Sequence, residues 1–108
     1  MKKIITLLLM IISSSVCANT WHSAEIQRIY PLANGDFVIS FKSDAPDCTN
    51  PNTPKYHYVS SGQGGLSPEG RDKIYSLVLT AATSGKSVSI NFDKNDNNCY
   101  VNRALINF

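Results

Sequence analysis

The sequence has no run of basic residues beyond Lys2-Lys3, no cluster of acids, no internal repeat and no long apolar stretch after Ile12. Binding nucleic acid by bulk charge is thereby excluded, because it needs clustered cations to neutralise phosphates. The absence of paired carboxylates at strand ends argues against an enzyme built on two acids. Only two histidines, His22 and His57, are available for imidazole chemistry, and Trp21 is the one tryptophan. Neither cysteine left in the mature chain has a second Cys or a His near it at zinc-ligand spacing.

What is present begins with an export signal. Lys2 and Lys3 form a positive head and Ile4 to Ile12 an apolar middle. Val16-Cys17-Ala18 then offers a small-residue site for cleavage after Ala18. The apolar part is too short to span a bilayer. Val16 precedes Cys17 where lipoprotein processing wants Gly, Ala or Ser, which argues against a lipid anchor there. Residues 1–18 are therefore expected to be a signal peptide and residues 19–108 a single domain, exported to the periplasm or secreted. Taking Lys2 and Lys3 from the ten basic residues leaves eight against eight acidic ones, a formally neutral mature chain. Cys17 leaves with the signal, and Cys48 and Cys99 remain as a pair bound for an oxidising compartment. A disulfide between them is expected.

Along the mature chain, Glu25 to Leu32 reads as a strand with a shift of face that suggests a bulge. Asn34-Gly35 predicts a type I′ hairpin turn into a second strand, Asp36 to Lys42, with Phe37, Ile39 and Phe41 on one face. Three prolines make Ser43 to Lys55 a loop, and Tyr56 to Ser60 is a short third strand. Ser67-Pro68-Glu69 opens a helix with a cap, a first-turn proline and an acid at the positive end of the dipole. Ile74, Leu77, Val78, Ala81 and Ala82 form its apolar face. Gly85 stops it. Val88, Ile90 and Phe92 alternate in a fourth strand, Asp93 to Asn98 is a polar turn, and Tyr100 to Phe108 is the last strand. The order strand, strand, strand, helix, strand, strand predicts a mostly β domain with one helix, an OB-fold-like five-stranded barrel. An open α+β sheet with one covering helix is the alternative.

The chemistry-bearing residues mostly have plain roles. His57, between Tyr56 and Tyr58 in a strand, reads as a surface or hydrogen-bonded structural histidine. His22 and Ser23 are adjacent, so their side chains do not meet as base and nucleophile. Asp93, Asn95 and Asn97 alternate like calcium-loop ligands, but Asn98 stands where glycine would and Ala104 where the bidentate glutamate would, which leaves a solvated turn. Trp21 offers an aromatic platform for a sugar ring, with Ser23 beside it as a hydrogen-bonding group.

The segment "IYSLVLTAATSGKSVSINF", followed by a short loop and a cysteine, resembles a pattern in small exported proteins of Gram-negative bacteria. Several of these are similar to the receptor-binding B subunits of subtilase-cytotoxin and pertussis-like toxins. The resemblance implies an OB-fold, a homo-oligomeric ring of five subunits, binding of a cell-surface glycan and a catalytic toxin subunit as partner. In those subunits a serine just before the first long strand helps hold a sialic acid, and "WHSAEI" places Ser23 at a similar point. The expectation is an exported, non-catalytic, glycan-binding module with Trp21 and Ser23 as ligand-binding residues. It carries no cofactor, no metal, no nucleic-acid partner and no membrane span. The alternative is a small periplasmic enzyme inhibitor or an envelope interaction protein.

Overall fold

A glycine in the left-handed region joins the helix to the strand behind it and sets the layout of the domain. The computed structural model describes residues 18–108, so the expected signal peptide, apart from Ala18, lies outside the described residues. The elements are β1 (Asn19–Pro31), β2 (Phe37–Phe41), β3 (His57–Val59), α1 (Pro68–Ser84), β4 (Ser87–Asp93) and β5 (Val101–Ile106). They form one antiparallel sheet in the order β3-β2-β1-β4-β5. The class is mostly β with one helix, and the element order is the one expected.

The first strand starts at Asn19, six residues before the sequence pattern marks it, because its leading half turns Thr20, His22 and Ala24 inward and so shows no large aliphatic alternation. That half pairs with β4 and the other half with β2, and the register shifts between Ile26 and Arg28. The extra residue there turns the strand, so one β1 serves both halves of a curled sheet. Curling brings β3 against the stretch preceding β5, where the Tyr58 N–H donates to the Asn98 carbonyl at 3.1 Å. The bond between Cys48 and Cys99, with Cα atoms 5.8 Å apart, holds the Ser43 to Lys55 loop against the same stretch. Within that loop the Asn50 side chain accepts from the Tyr56 N–H and donates to the Asn97 carbonyl.

The hairpin after β1 differs from the expected type I′ turn. Gly35 alone has positive φ, at 95°, and the Leu32 carbonyl accepts from the Gly35 N–H while the Leu32 N–H donates to Asp36. This is a type I turn closed by a left-handed glycine. The Asn34 side chain, accepting from the Asp36 N–H, holds Asn34 on the ordinary side. Asp36 in turn binds Arg71 at 3.1 Å, tying the first turn of α1 to the hairpin. Burial alone would raise the Asp36 pKa. Hydrogen bonds from the Ser61 N–H, Arg71, Ser60 and Asn34 outweigh it and hold the carboxyl below its ordinary value.

The core gathers Phe37, Ile39, Phe41, Val59, Val88, Ile90, Phe92 and Val101 under Ile74, Val78 and Ala81 of α1. Ala82, expected on the buried face, is exposed, and Leu77 is half-buried. Ser67 caps the helix by accepting from the Gly70 N–H. Gly85 ends it at φ 69° and ψ 26°, and the Lys86 N–H returns to the Ala81 carbonyl at 2.9 Å. A Cβ at Gly85 would meet nothing within 4 Å, so the cost of any side chain there is conformational, not steric. Gly85→Val is expected to lose more than about 1 kcal/mol in urea unfolding, whereas Gly85→Asn, which tolerates the left-handed region, keeps most of the stability. Equal losses for the two variants would contradict a left-handed stop.

Candidate functional site

Strand alternation decides which side chains face out. Trp21 and Ser23 lie two apart on β1 and share its outward face, Trp21 being 48% exposed. His22 points the other way, edge-on to Phe41 with ring centroids 5.0 Å apart, and its Nε2 bonds the Ser43 carbonyl at 2.7 Å. The adjacent His22 and Ser23 are thus on opposite faces of the sheet.

Pairing across the sheet extends the outward face. Trp21 stands opposite Asn91, and Asn91 opposite Arg103, whose guanidinium carbon lies 5.3 Å from the centre of the Trp21 ring. A register irregularity beside Asn91 adds Asn102 to the same cluster, and its side-chain amide donates to Asn91 at 2.9 Å. Arg103 and Asn102 then border a cavity of about 440 Å³, whose lining includes Asp93, Asp96, Gln63 and Tyr100. Beyond Tyr100 runs a row of tyrosines, Tyr58, Tyr56 and Tyr30, in edge-to-face contacts with centroids 6.1 to 6.3 Å apart.

Ser23 is on the same face but opens into a different hollow. Its hydroxyl is hydrogen-bonded to that of Ser89, and the hollow of about 380 Å³ beside it is lined also by Gly85, Lys86, Ser87 and Asn107. The two candidate ligand-binding residues therefore flank one outward face without sharing one cavity. Sequence reasoning missed Asn91, Asn102 and Arg103. Alternation within β4 and β5 marks each as non-core, but only the register sets them beside Trp21.

The turn after β4 is shaped by its own side chains. The Asp93 carboxylate accepts from the Asn95 N–H and the Asp96 carboxylate from the Asn98 N–H, as in a self-closed polar turn.

His57 corrects the sequence reading. It is fully buried, and neither ring nitrogen makes a hydrogen bond of good distance and angle, the Cys99 backbone being a nearby polar group. Phe41 and Phe92 meet it edge-to-face at 5.3 and 4.7 Å. Burial pushes its pKa down to about 4, and the nearby Cys99 backbone opposes this only in part. The disulfide sulfurs and a His57 ring nitrogen all lie within 4.8 Å of one another, a proximity invisible in the linear spacing.

No family model, curated protein or solved structure matches this chain. Among the described residues no helix is long and apolar enough to cross a membrane.

Proposed function

We propose that this protein is an exported, non-catalytic binding module that holds a glycan on the outward face around Trp21. One observation supports the reading most: Arg103, whose guanidinium lies over the Trp21 ring, lines a polar cavity together with Tyr100. The same lining offers carboxylates and amides from Asp93, Asp96, Gln63 and Asn102. Aromatic faces suit the apolar side of a pyranose, and carboxylate and amide groups suit its hydroxyls. The disulfide fits an oxidising compartment. Ser23, two residues along the same face, takes a second part of the ligand from its own hollow.

The resemblance to toxin B subunits adds two elements to the proposal, a ring of five copies and a catalytic chain carried by it. A ring repeats one weak sugar site and raises its effective affinity by multivalency. A glycan array on residues 19–108 is the direct test. Trp21→Ala is expected to weaken binding at least about tenfold, near 1.4 kcal/mol, with the melting temperature little changed because the ring is half exposed. Ser23→Ala should give a smaller loss. Absence of any glycan bound, or binding unchanged in Trp21→Ala, overturns the site. A strict monomer by light scattering at high concentration overturns the ring.

A further inference from the structure

Three groups with metal-ligand chemistry meet at one buried point in this domain. They are the sulfurs of Cys48 and Cys99 and the imidazole of His57, with ligand atoms mutually within 4.8 Å. While the sulfurs are bonded to each other they hold no metal. His57 supplies an independent observation: a fully buried ring whose two nitrogens make no hydrogen bond of good distance and angle, with the Cys99 backbone as a nearby polar group. Buried polar atoms are ordinarily hydrogen-bonded, and an orphan ring beside two sulfurs is placed as a ligand would be.

We propose that the disulfide is one state of a two-state centre, and that the reduced chain binds one thiophilic divalent ion of the zinc class through Cys48, Cys99 and His57. A dithiol reductant transfers two electrons and two protons to the disulfide and itself becomes a disulfide, leaving Cys48 and Cys99 as thiols. On metal binding both thiols release their protons to solvent, two sulfur–metal bonds form, and one ring nitrogen of His57 donates its lone pair. The metal does not change oxidation state.

Charge selects a divalent ion. Two thiolates and a neutral imidazole around it sum to zero, which the apolar walls formed by Phe41 and Phe92 tolerate, whereas a monovalent ion would leave one buried negative charge. Geometry requires little movement: the sulfurs separate to about 3.8 Å, the edge of a tetrahedron with metal–sulfur bonds of about 2.3 Å, and a fourth position stays open. Access comes from the Cys48 side. Cys48 is buried within a loop whose flanking residues, Asp47 and Thr49, are exposed, and reduction removes the covalent tie of that loop to Cys99. The reduced chain need not be fully folded beforehand, because metal binding and folding are coupled in sites of this kind.

The test uses mature protein reduced with a phosphine, freed of reductant and kept without oxygen. Titration with cobalt(II) alone should give thiolate charge-transfer and tetrahedral ligand-field bands that saturate at one ion per chain and vanish on adding zinc(II). The unreduced protein should show neither. His57→Phe should bind cobalt(II) at least about tenfold more weakly, and Cys99→Ala should lose the charge-transfer pattern of two thiolates. X-ray absorption at the zinc edge of reduced wild type needs no variant and should resolve two sulfurs and one imidazole. A first shell lacking either component, no saturation at one ion, or equal affinity in a folded His57→Phe protein would overturn the proposal.

Discussion

Replacing Cys48 and Cys99 together by alanine is expected to cost about 4 kcal/mol, the loss predicted by the chain-entropy model for a bridge of this span. The residues are 51 apart in sequence, so the bond removes a large loop's freedom from the unfolded chain. Alanine is the better replacement than serine, because a serine hydroxyl beside the His57 ring could hydrogen-bond to it and mask part of the loss. For a domain of this size the loss corresponds to a fall in melting temperature of roughly 15–30 °C. It is a large share of the total stability a small domain has. Calorimetry on the oxidised parent and the double variant gives the number, and a double variant within about 1 kcal/mol of the parent would rule out the bridge as a principal source of stability.

Acid should destabilise the oxidised protein in a window set by His57. Its pKa is about 4 in the folded state, chiefly through burial, which the Cys99 backbone and Asp44 oppose and the charges of His22 and Lys55 reinforce. In the unfolded chain it returns to about 6.5. Below that value the unfolded state takes up a proton that the folded state refuses. Stability present at neutral pH therefore falls by up to about 1.4 kcal/mol per pH unit, levels off near pH 4, and is lower by about 3 kcal/mol in all. Asp36 acts in a more acidic window: its depressed pKa contributes stability above about 3.8 that is lost as pH falls through the folded value. Urea midpoints from pH 7 to 4 should slope in the parent and flatten in His57→Phe, whatever the absolute stability of the variant. Parallel slopes in the two proteins would remove His57 as the cause.

The two largest expected effects involve neighbouring groups, because the disulfide and His57 occupy the same buried point where β3 meets the stretch before β5. The disulfide closes that region and the histidine lies buried beneath it, so oxidised Cys48–Cys99 and neutral His57 belong to the same folded state.

Local chemistry determined much of this protein from the sequence alone. Ser67, Pro68 and Gly85 mark the ends of α1 because capping and left-handed backbone depend on the residue itself. The alternation of Phe37, Ile39, Phe41, Val88, Ile90 and Phe92 marks core strands because a pleated strand repeats every two residues. The pairing of Cys48 with Cys99 is expected from the cysteine count under the export reading, and the two are bonded. Tertiary structure alone decided where those strands lie beside one another. The bulge that the sequence suggests falls at Gln27 and lets one β1 pair with both β2 and β4, and the start of β1 at Asn19 was hidden because Thr20, His22 and Ala24 leave its inner face without a large aliphatic residue. Register across β1, β4 and β5 put Arg103 and Asn102 next to Trp21 and directed Ser23 to a separate hollow. Curling of the sheet carried His57 to the sulfurs and buried it there without a hydrogen bond of good geometry. A linear sequence records which face a residue occupies within its own element, but proximity between elements depends on register and curvature, which are set by packing of the whole domain at once.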